Sequence, residues 1–231
     1  MIPELRVHLI GISGTGLSAI ARVLLERGCQ VSGSDLLLNA QASQLQAAGA
    51  RILIGHRAEN IQGADVVVRS SAVSDDNVEV MAAQAAGIPV LKRSEFLAQL
   101  IADQDSIAIA GSHGKTTTTA MLTWVLVALG LDPSYIIGGV SANLNTNAHA
   151  GQGQYFVIEA DEYDRMFLGL HPSLAVVTNI EHDHPDCFPT PEDFYQVFVA
   201  FAEQVQPQGM VLIGVDAPGG TRLYREMPAK A

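Results

Sequence analysis

The sequence has little of several features that would each indicate a particular class of protein. It has 2 cysteines in 231 residues, too few for a disulfide framework, which favours a reducing cytoplasm. Its 13 basic residues are outnumbered by 24 acidic ones, and the net charge of −11 disfavours nucleic acid or an anionic membrane as a partner. No apolar run reaches the roughly 18 residues of a membrane span. Glu4 and Arg6 interrupt the N-terminal segment, so no signal peptide is expected.

What the sequence does have is a series of short apolar runs, each followed by glycine or by apolar residues at helical spacing. Hydrophobic residues make up 48% of the chain, enough for a sizeable core. The alternation predicts an α/β protein. We expect an N-terminal Rossmann-like parallel-sheet domain at residues 1–104 and a P-loop ATPase-type α/β domain at 105–231, divided at the acidic pair Asp103 and Asp105.

The strongest motif is a glycine-rich segment between a predicted strand at 106–110 and a predicted helix. Backbone N–H groups at such a turn can hold a polyphosphate, a lysine can neutralise it, and a threonine hydroxyl can bind Mg²⁺. The loop is shorter than the usual P-loop, because Ile109 stands where that pattern has its first glycine. A chance Gly-Lys-Thr in a surface turn is the alternative, which the flanking strand and helix disfavour. The predicted nucleotide-binding residues are Gly111, Ser112, His113, Gly114, Lys115, Thr116 and Thr117.

A second glycine loop follows the apolar run 5–10. It fits a dinucleotide-binding fingerprint, with Asp35 about 20 residues downstream at the end of the next predicted strand. The pattern predicts that a nucleotide diphosphate binds here; glycines that serve only a tight turn are the alternative. Ser70, Ser71 and His56 also lie at predicted strand ends, where such sheets bind ligands, although residues in such loops more often have no such role. The residues of the loop are Gly11, Ser13, Gly14, Thr15 and Gly16.

Two polar clusters follow later predicted strands, one at 159–164 and one at 181–186. Carboxylates so close together repel one another unless a cation lies among them, so a metal bound with a nucleotide is favoured over a solvated acidic turn. A zinc hydrolase that uses His182 and His184 is the alternative, which the absence of helical H-x-x-x-H spacing disfavours. The segment 141–153 is rich in Asn, Gly and Ala, and we expect it to be an active-site loop.

In their order and spacing these motifs resemble those of the Mur ligases of peptidoglycan synthesis, over essentially the whole chain. The resemblance rests on three groups of residues: Gly11–Gly16 with Ser32–Asp35, then Gly111–Thr117, then Glu159–Glu162 with Asn179, Ile180, Asp183 and His184. It implies that the second domain is an incomplete form of the central ATP-binding domain of that family.

Membership of that family would imply an ATP-dependent ligase. ATP would phosphorylate the lactyl carboxylate of UDP-N-acetylmuramate, and the amino group of L-alanine would attack the resulting acyl phosphate. Catalysis would depend on positioning and charge neutralisation more than on covalent protein chemistry. Tyr163 stands where the alanine-adding members usually have serine, so members that attach a recycled murein tripeptide to the same substrate remain an alternative.

The resemblance also implies roles for individual residues. The implied catalytic residues are Lys115 at the β- and γ-phosphates, Glu159 with Thr116 at a first Mg²⁺, and His184 at a second. The first glycine loop would hold the UDP diphosphate, with Asp35 near the nucleoside. The implied substrate-binding residues are Gly11, Ser13, Gly14, Thr15, Gly16, Asp35, Ser70, Ser71 and Asn143, together with the turn at Gly138 and Gly139.

Members of the family are longer than this chain and carry a further, amino-acid-binding domain. We therefore interpret the chain as a fragment or truncated product that binds UDP-N-acetylmuramate and ligates poorly or not at all alone. Two other classes remain: a non-catalytic UDP-sugar-binding module and an NAD-dependent oxidoreductase. A dehydrogenase has no use for Lys115 and Thr116, which disfavours the oxidoreductase. The amino acid or peptide accepted, and the oligomeric state, are left open.

Overall fold

The structure is a computed structural model that describes residues 4–227, apart from the side chain of Asp164. The chain forms two compact units. The first contains the residues up to Gln99 together with Ala148–Ala150, and the second contains Leu100–Asn147 and the residues from Gly151 onward. The division after residue 104 stays a prediction about where the domains separate.

The first unit is built on a five-stranded sheet in the order β3-β2-β1-β4-β5. All of its strand pairs are parallel. The order reverses beside β1, and ligands of parallel α/β sheets bind at the carboxyl ends of the strands at such a point. The segment after β1 is the first glycine loop. The strands are β1 (Arg6–Ile10), β2 (Gln30–Asp35), β3 (Arg51–Ile54), β4 (Val66–Arg69) and β5 (Val90–Lys92).

Four helices belong to this part of the chain: α1 (Thr15–Glu26), α2 (Ala40–Ala47), α3 (Val78–Ala85) and α4 (Arg93–Ile101), with a short 3-10 helix at Ala58–Ile61. The helical spacing predicted for α1 is confirmed, since Leu17, Ile20 and Leu24 are all buried. Helix α4 begins at Arg93, so Ser94 lies within its first turn and not at its N-cap. A core of β-branched and aliphatic side chains, including Ile10, packs between sheet and helices.

The strands after residue 104 form a six-stranded sheet in the order β11-β10-β6-β9-β7-β8. Strand β6 lies between β10 and β9 and is parallel to both. The segments that follow these three strands therefore leave the same edge of the sheet side by side. The strands are β6 (Asp105–Ala110), β7 (Ser134–Ser141), β8 (Thr146–His149), β9 (Tyr155–Glu159), β10 (Leu174–Val177) and β11 (Met210–Ile213).

The helices of the second unit are α5 (Lys115–Ala128), α6 (Pro191–Glu203) and α7 (Pro218–Glu226), with a 3-10 helix at Tyr163–Gly169. A cluster of buried phenylalanines joins α6 to the segments after β9 and β10. Phe167 stacks on Phe201 with ring centroids 4.5 Å apart, and Phe188 packs edge-on against Phe194 at 5.2 Å. These contacts fix the segments after β9 and β10 against α6. Among the described helices, none is long and apolar enough to cross a membrane.

The α/β class with a parallel first sheet is confirmed, and three local predictions are wrong. Strand β7 does not end before Gly138 but runs through it, and β8 lies within the predicted loop 141–153. Residues 216–220, predicted as a turn, include the start of α7, which Pro218 opens in the first-turn position that suits proline. The last four residues of the chain, 228–231, lie outside the described residues.

A fully buried carboxylate joins α3 to the first sheet. One oxygen of Glu79 accepts from Nε2 of His8 at 3.2 Å and from Oγ of Ser34 at 2.5 Å, and the other accepts from Nδ2 of Asn60 at 2.5 Å. Burial raises the pKa of Glu79, but the hydrogen bonds from His8, Ser34 and Asn60 outweigh it and hold the pKa at about 2. The first unit therefore stabilises the ionised form of Glu79.

We expect Glu79→Gln to lower the free energy of unfolding at neutral pH by up to about 3 kcal/mol, from the size of the pKa shift. Because the folded pKa lies below the usual 4.5, this stabilisation is present above pH 4.5 and is lost as the pH falls toward 2. Urea denaturation of both proteins between pH 2 and pH 7 measures it, with the exposed Glu59→Gln as control. Parallel pH profiles for wild type and Glu79→Gln would contradict the expectation.

The start of α6 gives a second test of the fold. Thr190 and Asp193 form a capping box, in which Thr190 Oγ1 accepts from the Asp193 N–H and Asp193 Oδ2 accepts from the Thr190 N–H, each at 3.1 Å. We expect Thr190→Ala to cost about 1 kcal/mol of stability, because a helix N–H loses its acceptor. Thr190→Ser keeps the hydroxyl and should be near wild type in the same denaturation experiment; equal losses in both variants would argue against a capping role.

Candidate active site

The predicted phosphate loop connects β6 to the N-terminus of α5. Gly111 has φ 137°, and a Cβ there would collide with the Thr178 hydroxyl, so only glycine fits. Gly114 caps α5 with φ 80° in the left-handed region, which is also favourable for glycine. The loop therefore presents backbone N–H groups at a helix N-terminus, an arrangement that binds anions. Thr117 lies in the first turn of α5 and is exposed.

Hydrogen bonds to the segment that follows β10 hold this loop in place. The amide of Asn179 bonds both backbone groups of His113, with Oδ1 accepting from the N–H and Nδ2 donating to the carbonyl, each at 3.0 Å. Ser112 Oγ accepts from the backbone N–H of Glu181 at 2.8 Å and donates to its carbonyl at 2.7 Å. The sequence placed Asn179 in a motif without giving it this role.

The ammonium group of Lys115 lies back over the loop. Its Nζ donates to the carbonyl of Gly111 at 2.7 Å and to Oε1 of Glu162 at 2.9 Å. Glu162 is fully buried, and its Oε2 has no hydrogen-bond partner among residues 4–227. Burial raises the pKa of Glu162, against the hydrogen bond from Lys115, which lowers it. The sequence placed Glu162 in an acidic motif without predicting its contact with Lys115.

A second contact joins α5 to β9 and β7. Thr116 Oγ1 donates to Oε1 of Glu159 at 3.0 Å, and the N–H of Gly138 donates to its Oε2 at 2.7 Å. A Cβ at Gly138 would overlap this carboxylate, which explains why β7 carries a glycine at this position. The structure thus brings together Thr116 and Glu159, two of the three predicted metal ligands.

The third predicted ligand, His184, contacts Glu162 and not Glu159. Its Nε2 lies 3.6 Å from Oε1 of Glu162, and its ring packs edge-on against Tyr163 at 5.1 Å. Tyr163 donates to Asp186 at 2.9 Å, and this bond raises the pKa of the phenol to about 12. Within residues 4–227, no group of three or more His, Cys, Asp or Glu side chains could hold a metal by itself.

The hydroxyl of Thr116 and the carboxylate of Glu159 are oxygen donors of the kind that Mg²⁺ prefers. Mg²⁺ usually keeps several waters and takes one or two protein ligands together with substrate phosphates. The residues present therefore fit Mg²⁺ bound with a nucleotide. The ligand roles themselves stay predictions.

In the first unit, Asp35 holds the glycine loop. Its Oδ2 accepts from the N–H of Ser13 at 2.9 Å, and the hydroxyl of Ser13 donates to the carbonyl of Leu37 at 3.0 Å. Gly14 and Thr15 are exposed at the N-terminus of α1. The predicted contact of Asp35 with a nucleoside stays a prediction, beside this observed role in the loop.

Other residues of the first unit border the same loop. Ser70 lies next to Gly11, whereas Ser71 is exposed in the following turn. The guanidinium of Arg93 lies against Gly16, where a larger residue would collide with it. Sequence reasoning missed Arg93, although a basic residue directly after β5, at the carboxyl edge of a sheet, was a signal that could have found it.

Asn143 belongs to the second unit. It is exposed in the turn between β7 and β8, and its predicted contact with substrate stays a prediction.

The class of protein follows from comparison with known families. A family model described as the Mur ligase family, catalytic domain, matches residues 6–105, and one described as the Mur ligase middle domain matches residues 109–231. The second match alone covers more than half of the chain. The chain belongs to the Mur ligase family.

Individual members of the family are similar to this chain over most of its length. UDP-N-acetylmuramate–L-alanine ligase of Chlorobium phaeovibrioides is 50% identical over 214 residues, which is 92% of this chain and 46% of that protein. The enzyme of the same name from Saccharopolyspora erythraea is 50% identical over 228 residues, covering 97% of this chain and 46% of its own length. The chain spans about half the length of the curated relatives it matches.

Two solved structures share the fold. The UDP-N-acetylmuramate:L-alanyl-gamma-D-glutamyl-meso-diaminopimelate ligase from Neisseria meningitides has a TM-score of 0.88 at 30% identity, over 96% of this chain and 75% of that one. The UDP-N-acetylmuramate-alanine ligase from Thermotoga maritima has a TM-score of 0.85 at 27% identity, over 95% of this chain and 51% of that one.

The two hydrogen bonds between the Asn179 side chain and the His113 backbone can be tested without any ligand. We expect Asn179→Ala to speed hydrogen exchange at the His113 amide and to cost about 1 to 3 kcal/mol of stability, because two backbone groups lose their partner. Asn179→Asp keeps the acceptor for the His113 N–H and should protect that amide better than alanine does. Hydrogen exchange is measured by mass spectrometry or NMR. An unchanged exchange rate at the His113 amide in Asn179→Ala would show that Asn179 does not hold the loop.

Proposed function

We propose that this chain forms the ATP-binding and UDP-sugar-binding part of a ligase that joins L-alanine to the lactyl carboxylate of UDP-N-acetylmuramate. The observation that carries the proposal is the convergence of Lys115, Thr116 and Glu159 on a phosphate loop held between two neighbouring strand ends. The 50% identity to enzymes of that name supports the choice of reaction. The two free cysteines suit a cytoplasmic setting.

In this proposal the protein acts by position and charge. The N–H groups at the start of α5 and the Lys115 ammonium bind the ATP phosphates and neutralise charge as the terminal phosphoryl group moves to the substrate carboxylate. Thr116 and Glu159 would hold Mg²⁺, which when bound supplies further neutralisation of the phosphate oxygens. Lys115 must exchange a contact with Glu162 or Gly111 for one with phosphate. The first glycine loop and Arg93 bind the diphosphate of the UDP-sugar.

A second candidate adds a murein tripeptide in place of L-alanine. Tyr163 favours it, since the alanine-adding members usually have serine there, and so does the similarity to the tripeptide-type ligase structure from Neisseria meningitides. The higher identity to the alanine ligases keeps L-alanine as the first choice. Incubation of the chain with UDP-N-acetylmuramate, ATP and either amine, followed by mass spectrometry of the products, separates the two.

Calorimetric titration with UDP-N-acetylmuramate, Mg-ATP and NAD tests the proposal. We expect binding of the first two and none of NAD. Lys115→Met should weaken Mg-ATP binding at least about tenfold, since a charge-assisted bond to phosphate is lost, and should leave UDP-N-acetylmuramate binding unchanged. Binding of NAD alone would overturn the proposal, and binding of the UDP-sugar without Mg-ATP would favour a non-catalytic module.

A further inference from the structure

We propose that His56 binds the nucleoside part of the nucleotide-sugar through Nε2, as a hydrogen-bond acceptor, and that Ser34 and Glu79 are positioning residues that hold its proton on Nδ1. The proposal rests on the proposed function and adds a binding residue to its first unit. The ligand group at Nε2 is then an N–H or O–H donor, such as the imide of a pyrimidine base or a ribose hydroxyl.

His56 lies at the ligand-binding edge of the first sheet. It follows β3 and Gly55, whose N–H donates to the carbonyl of Asp35 at the end of β2, at 2.8 Å. Ligands of parallel sheets bind at these carboxyl ends, and the residue at the end of β2 is the one that faces the nucleoside in Rossmann-like domains. The His56 side chain is 19% exposed, so it is held by protein but reachable from solvent.

The position of the proton on His56 follows from counting donors. The ionised carboxylate of Glu79 can only accept, so Ser34 must donate its single hydroxyl proton to Oε2 of Glu79, at 2.5 Å. Ser34 Oγ also lies 3.0 Å from Nδ1 of His56. With its own proton committed, Ser34 can only accept there, and Nδ1 of His56 must carry a hydrogen. In the neutral ring, Nε2 then keeps its lone pair.

The backbone around His56 is fixed by the same carboxylate. Oε1 of Glu79 accepts from the N–H of Arg57 at 3.2 Å and from the amide of Asn60 at 2.5 Å, and it lies 3.6 Å from Nδ1 of His56. Asn60 in turn donates to the carbonyl of Gly55 at 3.0 Å. The Nδ1 edge of the ring thus faces the buried network. Among residues 4–227 no hydrogen bond engages Nε2, the nitrogen on the opposite edge.

With the proton on Nδ1, Nε2 of His56 can bind only a part of the ligand that donates a hydrogen bond. Phosphate oxygens only accept hydrogen bonds at neutral pH, so a lone pair on Nε2 does not suit the diphosphate. A base imide and the ribose hydroxyls can donate. The diphosphate has its own donors in the glycine loop and in Arg93, which lies against Gly16. The chemistry therefore assigns His56 to the nucleoside.

The test uses the whole 231-residue chain, with UDP-N-acetylmuramate, UDP and inorganic pyrophosphate as probes. We expect His56→Ala to weaken UDP-N-acetylmuramate and UDP by the same factor, about fivefold to tenfold for one lost hydrogen bond, and to leave pyrophosphate unchanged. His56→Gln, whose amide oxygen can reach the Nε2 position, should recover part of the loss. NMR of the ring nitrogens of His56 in the wild type should show a proton on Nδ1 and a ligand-induced shift of Nε2.

A matched pair of serine variants separates positioning from general destabilisation. Ser34→Ala removes the acceptor for Nδ1 of His56 and should shift the tautomer and weaken UDP. Ser32→Ala, two residues earlier on β2, removes the equivalent 2.9 Å contact to Nδ1 of His8 and should change neither. Equal effects of the two variants on UDP binding would overturn the positioning role.

The remaining outcomes are also decisive. Wild-type affinity for UDP in His56→Ala, a proton on Nε2 in the free wild type, or an equal loss of pyrophosphate binding would overturn the assignment while leaving the proposed function standing. Failure of the wild type to bind UDP-N-acetylmuramate at all would overturn the proposed function itself. The NMR result in the wild type needs no variant, so it decides the tautomer even where a substitution prevents folding.

Discussion

The candidate active site depends on the parallel pairing of β6 with β9 and β10. In register, Ile109 lies beside Glu159 and Ala110 beside Val177, so three chain segments distant in sequence leave one sheet edge together. The hydrogen bonds of Asn179 and Ser112 across the gap between β6 and β10 fix the backbone of the loop, and the buried phenylalanines hold the neighbouring segments. Without this order of strands, the motif at 111–117 would be an ordinary turn.

Each unit contains a buried carboxylate, and the two have opposite protonation tendencies. Glu79 receives bonds from His8, Ser34 and Asn60, which outweigh burial and lower its pKa. Glu162 has Lys115 on one oxygen and no partner on the other, so burial dominates and its pKa is raised. The first arrangement is that of a structural network with its hydrogen bonds satisfied. The second places an incompletely bonded acid beside a cation, a pattern that clusters at functional sites.

The fold by itself does not distinguish which amine a ligase of this family uses. The two solved relatives bear the names of ligases for different amines, yet both superimpose on this chain with TM-scores above 0.8. In the proposed function the residues that converge at the phosphate loop bind ATP, and they carry no information about the amine. Tyr163, packed against His184 and bonded to Asp186, is the residue on which the proposed alternative of a tripeptide ligase rests.

The sequence by itself determined the local elements of this protein: the α/β class, most strand and helix bounds, and the two glycine loops. Hydrophobic periodicity, glycine positions and flanking segments are local properties of the chain, and the strand predicted at 106–110 is found as β6 at Asp105–Ala110. Tertiary structure alone decided the partners. Lys115 pairs with Glu162, Asp35 bonds to Ser13, and the side chain of Asn179 holds His113. Such contacts depend on strand order and register, which bring distant residues together, and no local pattern encodes them.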